Sequence, residues 1–276
     1  MSLTSTSLHG TAYRDRPPAP ASPRSLFLPK EHGAYALILA PLLTAFCRGA
    51  PSWVGAGFAI ATVAAFLAHE PALVLLAQRG ARARRELGGA ARRAFLVRAT
   101  VAAAAGLAAL ARGDLPTRVS VAALAGLVAL VGLFALRRHE KSDLGTLLLA
   151  VTAAAAGVPV ALGNGWDVET ALLTNAVFGV TGGVAMLTVR ELIPKRRREA
   201  GLAAYLGFLV ALVVGLVFVT QALDGAIAPY FAWALTPIAL AACGLLVARP
   251  APTHLRAVGW SLAAAQVATF LVLAFA

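Results

Sequence analysis

The side chains best suited to chemistry in this chain are acidic and cationic residues that stand together where apolar runs begin or end. One cluster precedes Gly33 and the first long apolar run, and two pairs lie near the ends of later runs. Carboxylates and imidazoles can transfer protons or hold a cation, and arginine and lysine bind phosphate. In chain order the clustered residues are Lys30, Glu31, His32, His69, Glu70, Arg190 and Glu191.

The elements that must position these side chains are helices in a membrane. The 276 residues are 59% hydrophobic and 13% charged, and short charged segments separate long apolar runs. This pattern is typical of an all-α polytopic membrane protein. The net charge of +12 lies in the short segments between the runs, as in membrane loops. We therefore expect membrane lipids as partners and no nucleic acid.

Nine apolar segments are long enough, some of them marginally, to span a hydrocarbon core of about 30 Å. Residues 1–27 are rich in Ser, Thr, Pro and Arg and lack the apolar segment of a signal peptide. They are expected to form a disordered cytoplasmic tail ahead of the helical domain, 28–276. The spans are expected at about 32–46, 53–76, 95–111, 118–136, 143–162, 169–192, 200–221, 229–247 and 255–275, with Ser142 as the N-cap of the fifth.

The distribution of basic residues predicts the orientation. With nine spans, 21 of the 24 lysines and arginines fall on the side of the N-terminus. Arg48, Arg112 and Arg118 fall on the other side. The positive-inside rule then predicts a cytoplasmic N-terminus and an external C-terminus, in the cell (inner) membrane.

A short internal similarity indicates a duplication. Arg84–Ala91 and Arg197–Ala204 agree at six of eight positions, at an offset of 113. Glu70 and Glu191 close the second and sixth spans. We interpret this as two four-helix repeats, about 28–136 and about 140–248, plus an extra helix at about 255–275. Repeated membrane folds often place a site between the copies. Chance similarity stays an alternative, because Arg, Ala and Gly are common in this chain.

Glu70 is the strongest single candidate because it lies about two turns inside an apolar run. An ionisable side chain there costs roughly 2.5–3.5 kcal/mol on insertion scales. We expect a cation partner for it, which could be His32, His69 or an arginine. The adjacent Pro71 frees a backbone carbonyl one turn back. The alternative role for Glu70 is a purely structural ion pair that locks two helices together.

Two basic stretches, at 79–85 and 195–198, could bind phosphate. Contact with anionic lipid headgroups and simple snorkelling at the membrane edge are the alternatives. Deep in the spans, Asn175 and Gln266 are expected to hydrogen-bond between helices. The candidate catalytic residues are Glu70, Glu191 and His32. The candidate substrate-binding residues are Lys30, Glu31, His69, Arg79, Arg82, Arg190 and Lys195.

The segment Pro29–Tyr35 resembles the Pro-Lys-Glu-His-Gly-Ala-aromatic signature of the YwiC-like family of bacterial membrane proteins. The similarity in hydrophobic layout extends from about Leu28 to the C-terminus. This resemblance implies a multi-pass membrane protein, but the family brings no firmly established activity with it.

A more distant resemblance is to the UbiA-type prenyltransferases. Their nine helices form duplicated units, and acidic motifs near the ends of the second and sixth helices hold Mg²⁺ and a prenyl diphosphate. His69-Glu70 stands where the first motif would begin, but Leu73 and Ala77 replace its next acids. Near the sixth helix, Glu191 and Lys195 resemble the second motif. The resemblance implies a UbiA-like bundle, an isoprenoid diphosphate ligand and Mg²⁺. Because acids of these motifs are missing here, the sequence does not decide whether Mg²⁺ binds.

The leading functional hypothesis is the binding of an isoprenoid or other lipid-linked phosphate in a cytoplasm-facing cavity, with transfer chemistry as the UbiA resemblance implies. Glu31, His32, Glu70 and Glu191 are expected to converge there, with the Glu70 and Glu191 carboxylates within roughly 15 Å, a span that a hydrated ion and a diphosphate could bridge. Transport of a small anion and a non-catalytic membrane subunit are the alternatives. Few polar residues lie in the outer halves of the spans, which disfavours transport.

Overall fold

A computed structural model of the chain describes residues 27–28, 32–137, 139, 142–192 and 202–276. Within these ranges the regular structure is entirely helical. The predicted N-terminal tail lies outside the described residues apart from Phe27, which is buried. The described residues therefore belong to the predicted helical domain.

Eleven α-helices account for the described part of the chain. In order they are α1 His32–Arg48, α2 Trp53–Leu75, α3 Ala81–Arg112, α4 Leu115–Leu136, α5 Asp143–Ala155, α6 Gly157–Gly163, α7 Val168–Leu192, α8 Leu202–Leu223, α9 Pro229–Trp233, α10 Thr236–Ala248 and α11 Leu255–Phe275. Two pairs, α5 with α6 and α9 with α10, each form one interrupted span, so every predicted span has a helical counterpart.

Seven of these segments are long and apolar enough to cross a membrane. Two further apolar helices are shorter. They are Gly33–Arg48 in α1 and Leu212–Leu223 in α8, where the side chains are described. The prediction of an all-α, multi-pass membrane protein is confirmed.

Helix starts follow from local capping. Ser142, the predicted cap of α5, accepts a hydrogen bond from the Gly145 backbone N–H at 3.0 Å, as expected. Ser52 caps α2 in the same way. Asp114 caps α4 through the Thr117 N–H at 3.0 Å, and hydrogen bonds from Thr117 lower the pKa of the Asp114 carboxyl. These caps place the chain reversals between neighbouring helices.

Helix α3 begins earlier than the hydropathy pattern predicts. The third span was expected from Phe95, whereas the helix begins at Ala81, so most of the basic stretch 79–85 is already helical. Hydropathy alone misses this part because arginine, although polar, is a strong helix former, as are alanine and leucine. The added turns are held by packing, since Ala91 is fully buried against a small cluster with Phe27 and Val74.

Helix α1 lies inside the bundle, in contact with α2, α5, α6, α7 and α11. Helix α2 packs mainly on α3, while α7 packs mainly on α5. Only 6% of the residues in the apolar parts of α3 and α4 are buried. These two helices therefore present most of their surface to the surrounding lipid. The charged clusters are thereby carried by two different helix pairs, α2–α3 and α5–α7.

Hydrogen bonds between residues that are distant in sequence show which helix ends share a membrane face. The Gln78 side chain, after α2, donates to the Ala135 carbonyl near the end of α4 at 2.7 Å. Arg190, near the end of α7, donates to the Ser142 carbonyl at the start of α5 at 2.9 Å. We call the face with Phe27, Gln78, Ser142 and Arg190 the basic face, and the other the opposite face.

Candidate functional site

Glu70 and Arg79 form the first charged cluster of the basic face. After α2 the chain turns back, and this turn brings an Arg79 Nη2 atom to 2.5 Å from Glu70 Oε1. The prediction that a cation neutralises Glu70 is confirmed, and an arginine is the partner. The Glu70 side chain is 18% exposed and that of Arg79 is 43% exposed. Water screens such a pair, so it contributes about 0–1 kcal/mol to stability.

Arg98 of α3 is the residue that sequence reasoning missed. Its Nη1 atom donates to the Leu67 carbonyl at 2.5 Å and to the Phe27 carbonyl at 3.0 Å. Pro71 has no N–H, so Leu67 is the residue whose carbonyl it leaves without its helical partner. The freed carbonyl was predicted, but its donor was not. A signal was present in the sequence, because Arg98 is the one charged residue between Arg93 and Arg112.

His69 faces a different environment from its neighbour Glu70. It lines a small cavity of about 290 Å³ between α2 and α3. The other lining residues are apolar and include Phe95, Ala99 and Ala102 of α3. If His69 binds substrate, as predicted, it would do so beside α3.

Arg190 forms the second charged cluster, at the end of α7. It is 14% exposed and lies against the start of α5. Its Nη1 atom donates to the Ser142 carbonyl and to the Thr146 hydroxyl, and its Nη2 atom lies 2.6 Å from Asp143 Oδ1. These contacts join two helices, which is the structural role that sequence analysis left open for such pairs. The adjacent Glu191 is partly exposed.

We predict that Arg190→Met destabilises the protein by about 2–3 kcal/mol, because hydrogen bonds to a charged group are worth roughly 1.5–3 kcal/mol. The measurement is the melting temperature of the purified protein in detergent. Arg82→Met is the matched control, since Arg82 pairs with Glu86 on the surface of α3 with side chains 87% and 56% exposed. Equal melting temperatures for the two variants would contradict the structural role of Arg190.

The remaining predicted site residues divide into two groups. Arg82 lies on the exposed surface of α3, where it pairs with Glu86. The side chains of Lys30, Glu31, His32 and Lys195 lie outside the described residues. The structure thus joins Glu70 with Arg79, and Arg190 with Asp143, on separate helix pairs. Convergence of Glu31, His32, Glu70 and Glu191 on one cavity stays a prediction.

The donor set on α2 does not fit a Mg²⁺–diphosphate site. Among the described residues, no three His, Cys, Asp or Glu side chains cluster to hold a metal ion. Leu73 is 3% exposed and Ala77 is apolar, and these occupy the positions where further acids would be needed. The Glu70 carboxylate is also engaged by Arg79. Direct arginine contacts to a phosphate fit this part of the chain better than a metal bridge.

The first part of the helical region is similar to a known protein family. Residues 28–162 match the family model described as YwiC-like protein. The matched region runs from the start of α1 through α6 and includes Glu70, Arg79 and Arg98. No curated protein and no solved structure matches the chain. Over residues 28–162, which are 135 of its 276 residues, the chain is similar to the YwiC-like family.

Proposed function

We propose that this membrane protein binds an isoprenoid or other lipid-linked phosphate at its basic face, and that this face is cytoplasmic. The observation that carries the proposal is Arg98, an arginine held inside the apolar part of α3 by two backbone carbonyls. Ionisable residues at membrane depth are costly and usually functional. An arginine there favours a ligand that brings a negative charge into the membrane, and a lipid phosphate does so.

The chemistry of recognition follows from the guanidinium group. Arginine offers five N–H donors in a planar fork that matches the oxygens of a phosphate. Arg98 is fixed in place, whereas Arg79 is more exposed and pairs with Glu70 through a screened contact. A bound phosphate could therefore share Arg79 with Glu70. For transfer chemistry of the UbiA type, Glu70, Glu191 and His32 are the candidate catalytic side chains.

Transport of a small anion is supported less well. A transporter needs a polar path to the opposite face. There the α1–α2 turn and the α6–α7 turn close directly on each other through Asn164, which accepts from the Ser52 N–H at 3.0 Å and donates to the Ala45 carbonyl at 3.1 Å. Both polar atoms of the Asn164 side chain are engaged in these hydrogen bonds, and the residue is only 3% exposed.

The proposal is tested by ligand-induced thermal stabilisation in detergent. Farnesyl diphosphate is expected to raise the melting temperature, since a ligand at 100 times its Kd stabilises the folded state by about 2.7 kcal/mol. Farnesol, which lacks the phosphate, and inorganic pyrophosphate, which lacks the chain, should have much smaller effects. Equal stabilisation by farnesol and farnesyl diphosphate would contradict phosphate recognition.

Glu70→Gln separates a structural from a functional role of the Glu70–Arg79 pair. Because the pair is screened, the ligand-free variant should melt within about 1 kcal/mol of the native protein. Loss of the carboxylate that positions Arg79 should weaken farnesyl diphosphate binding about tenfold, which is 1.4 kcal/mol. Arg118→Met serves as the control, since Arg118 is an exposed arginine at the opposite face. Unchanged stability together with unchanged binding would leave Glu70 without a role.

The proposed orientation predicts a specific result for reporter fusions. A reporter that is active only outside the cytoplasm should be silent when fused after Gly88, in the basic part of α3, and active when fused after Ala276. The physical reason is the excess of lysine and arginine on the basic face. Activity at Gly88 would reverse the assignment of the faces.

A further inference from the structure

A lateral groove opens between α1, α2 and α3, beside Arg98. It has a volume of about 520 Å³, and every residue that lines it is apolar except Arg98. Each helix contributes to its walls. Representative lining residues are Leu43 and Phe46 of α1, Ile60 and Val63 of α2, and Val97 and Val101 of α3.

The groove faces the hydrocarbon of the membrane. Leu43, Ile60 and Val97 are 49%, 53% and 64% exposed, so the walls are open on the lipid side. Arg98 and Arg112, which lies at the opposite face, are fourteen positions apart on α3, and this is roughly 21 Å at 1.5 Å per residue. In a hydrocarbon core of about 30 Å, Arg98 then lies within the apolar layer, nearer to the basic face.

The charge of Arg98 lacks an acidic partner in the described part of the chain. The ion pairs Glu70–Arg79, Arg82–Glu86 and Asp143–Arg190 do not include it. Within the described residues, Arg98 makes two hydrogen bonds, both from Nη1 to neutral carbonyls. The Nε and Nη2 donors therefore suit an anion, and an anion would offset the cost of the charge at this depth.

We propose that the α1–α2–α3 groove holds the hydrocarbon chain of an isoprenoid phosphate, with the phosphate bound to Arg98. This rests on the proposed function and adds the place where the chain lies. An apolar groove that ends at a cation matches a ligand with an apolar chain and an anionic head. The volume is also within the roughly 300–1,000 Å³ that ligand sites span.

The test is photo-crosslinking of the full-length protein in detergent with a farnesyl phosphate analogue that carries a diazirine near the end of its chain. Crosslinked peptides, located by mass spectrometry, should come from the groove walls of α1, α2 and α3. The same chain with a free alcohol in place of the phosphate is the control probe. It should label the groove weakly, because it lacks the group that Arg98 binds.

Two variants test the chain and the head separately. Val101→Trp fills the groove one helical turn from Arg98, keeps the arginine itself, and should abolish groove labelling. Val119→Trp on α4 is the matched control, since Val119 is 59% exposed and does not line the groove. Arg98→Lys keeps the charge but not the planar fork, so it should weaken farnesyl phosphate binding roughly tenfold or more.

The outcomes distinguish this inference from the proposed function. Groove labelling that needs the phosphate and is lost in Val101→Trp supports it. Phosphate-dependent stabilisation with labelling elsewhere, or unaffected by Val101→Trp, overturns the groove assignment and leaves the proposed function standing. Equal labelling by the alcohol probe identifies ordinary lipid contact and also overturns it. Absence of any phosphate-dependent binding in the native protein overturns both.

Discussion

Asn164→Leu is expected to lower the melting temperature of the protein strongly. The Asn164 amide joins two turns at the opposite face, by accepting from the Ser52 N–H and donating to the Ala45 carbonyl. Leucine would leave both backbone groups without these partners in a buried place. Each buried group left unsatisfied costs about 1–3 kcal/mol. The loss should appear as a lower melting temperature in detergent and as a lower denaturant midpoint.

The surroundings of Asn164 cannot relax easily. Ser52 also donates to the Gly163 carbonyl at 2.5 Å, and a Cβ atom at Gly55 would lie 2.0 Å from Asn164 Oδ1. The control is Gln221→Leu, which removes an exposed amide at the end of α8 and should change stability by less than about 0.5 kcal/mol. A melting temperature for Asn164→Leu within the range of that control would show that this contact does not hold the two turns together.

Gly157→Ala is the second substitution for which a large effect is expected. Gly157 begins α6, where the fifth span is interrupted, and lies between α1 and α7. A Cβ atom there would lie 2.2 Å from Asn175 Oδ1 and 2.9 Å from Pro41 Cβ. The proline ring is rigid and Asn175 is 5% exposed, so neither neighbour can move freely. Overpacking of this kind costs about 1–3 kcal/mol.

The matched control for Gly157→Ala is the same substitution at Gly126 in α4. A Cβ atom at Gly126 meets nothing within 4 Å. Because alanine is the better helix former, Gly126→Ala should stabilise the protein by about 0.5–1 kcal/mol. The two variants should therefore shift the melting temperature in opposite directions. A shift of the same sign in both would contradict the close approach of α1, α6 and α7.

The helical layout could be predicted because long apolar runs carry a strong signal. Each of the nine predicted spans has a helical counterpart, and Ser142 caps α5 as expected. The start of α3 could not be predicted from hydropathy, because its first turns are basic and are held by Ala91 against Phe27 and Val74. Such packing between distant segments is invisible to a window that averages neighbouring residues.

The candidate site was predictable where its contacts are local. Glu70 and Arg79 are nine residues apart, and a turn after α2 brings them together. Arg98 contacts Leu67 and Phe27, which are 31 and 71 residues away, so its role depends on how α3 folds back on α2. A lone arginine in an apolar run was the available signal, but Arg98 was counted only among the basic residues that predict the orientation.

The deep polar residues show where the interpretation from sequence was wrong. Asn175 was expected to hydrogen-bond between helices, but its amide donates to the Ala171 carbonyl of its own helix at 2.7 Å. Gln266 is 3% exposed, and its amide has no hydrogen-bond partner among the described residues. Residue type alone does not distinguish a bond within a helix from one between helices, because the same donor can satisfy either. The predicted duplication of four-helix repeats stays a prediction.

The central claim is that a phosphate-bearing isoprenoid or other lipid occupies the basic face. Native mass spectrometry of the protein, extracted gently from its membrane, tests this most directly. A co-purified ligand with a prenyl or lipid mass and a phosphate fragment is the predicted result, and its occupancy should fall in Glu70→Gln and in Arg98→Lys but not in Arg118→Met. A protein that carries no lipid, or lipids without phosphate at equal occupancy in all variants, would contradict the account.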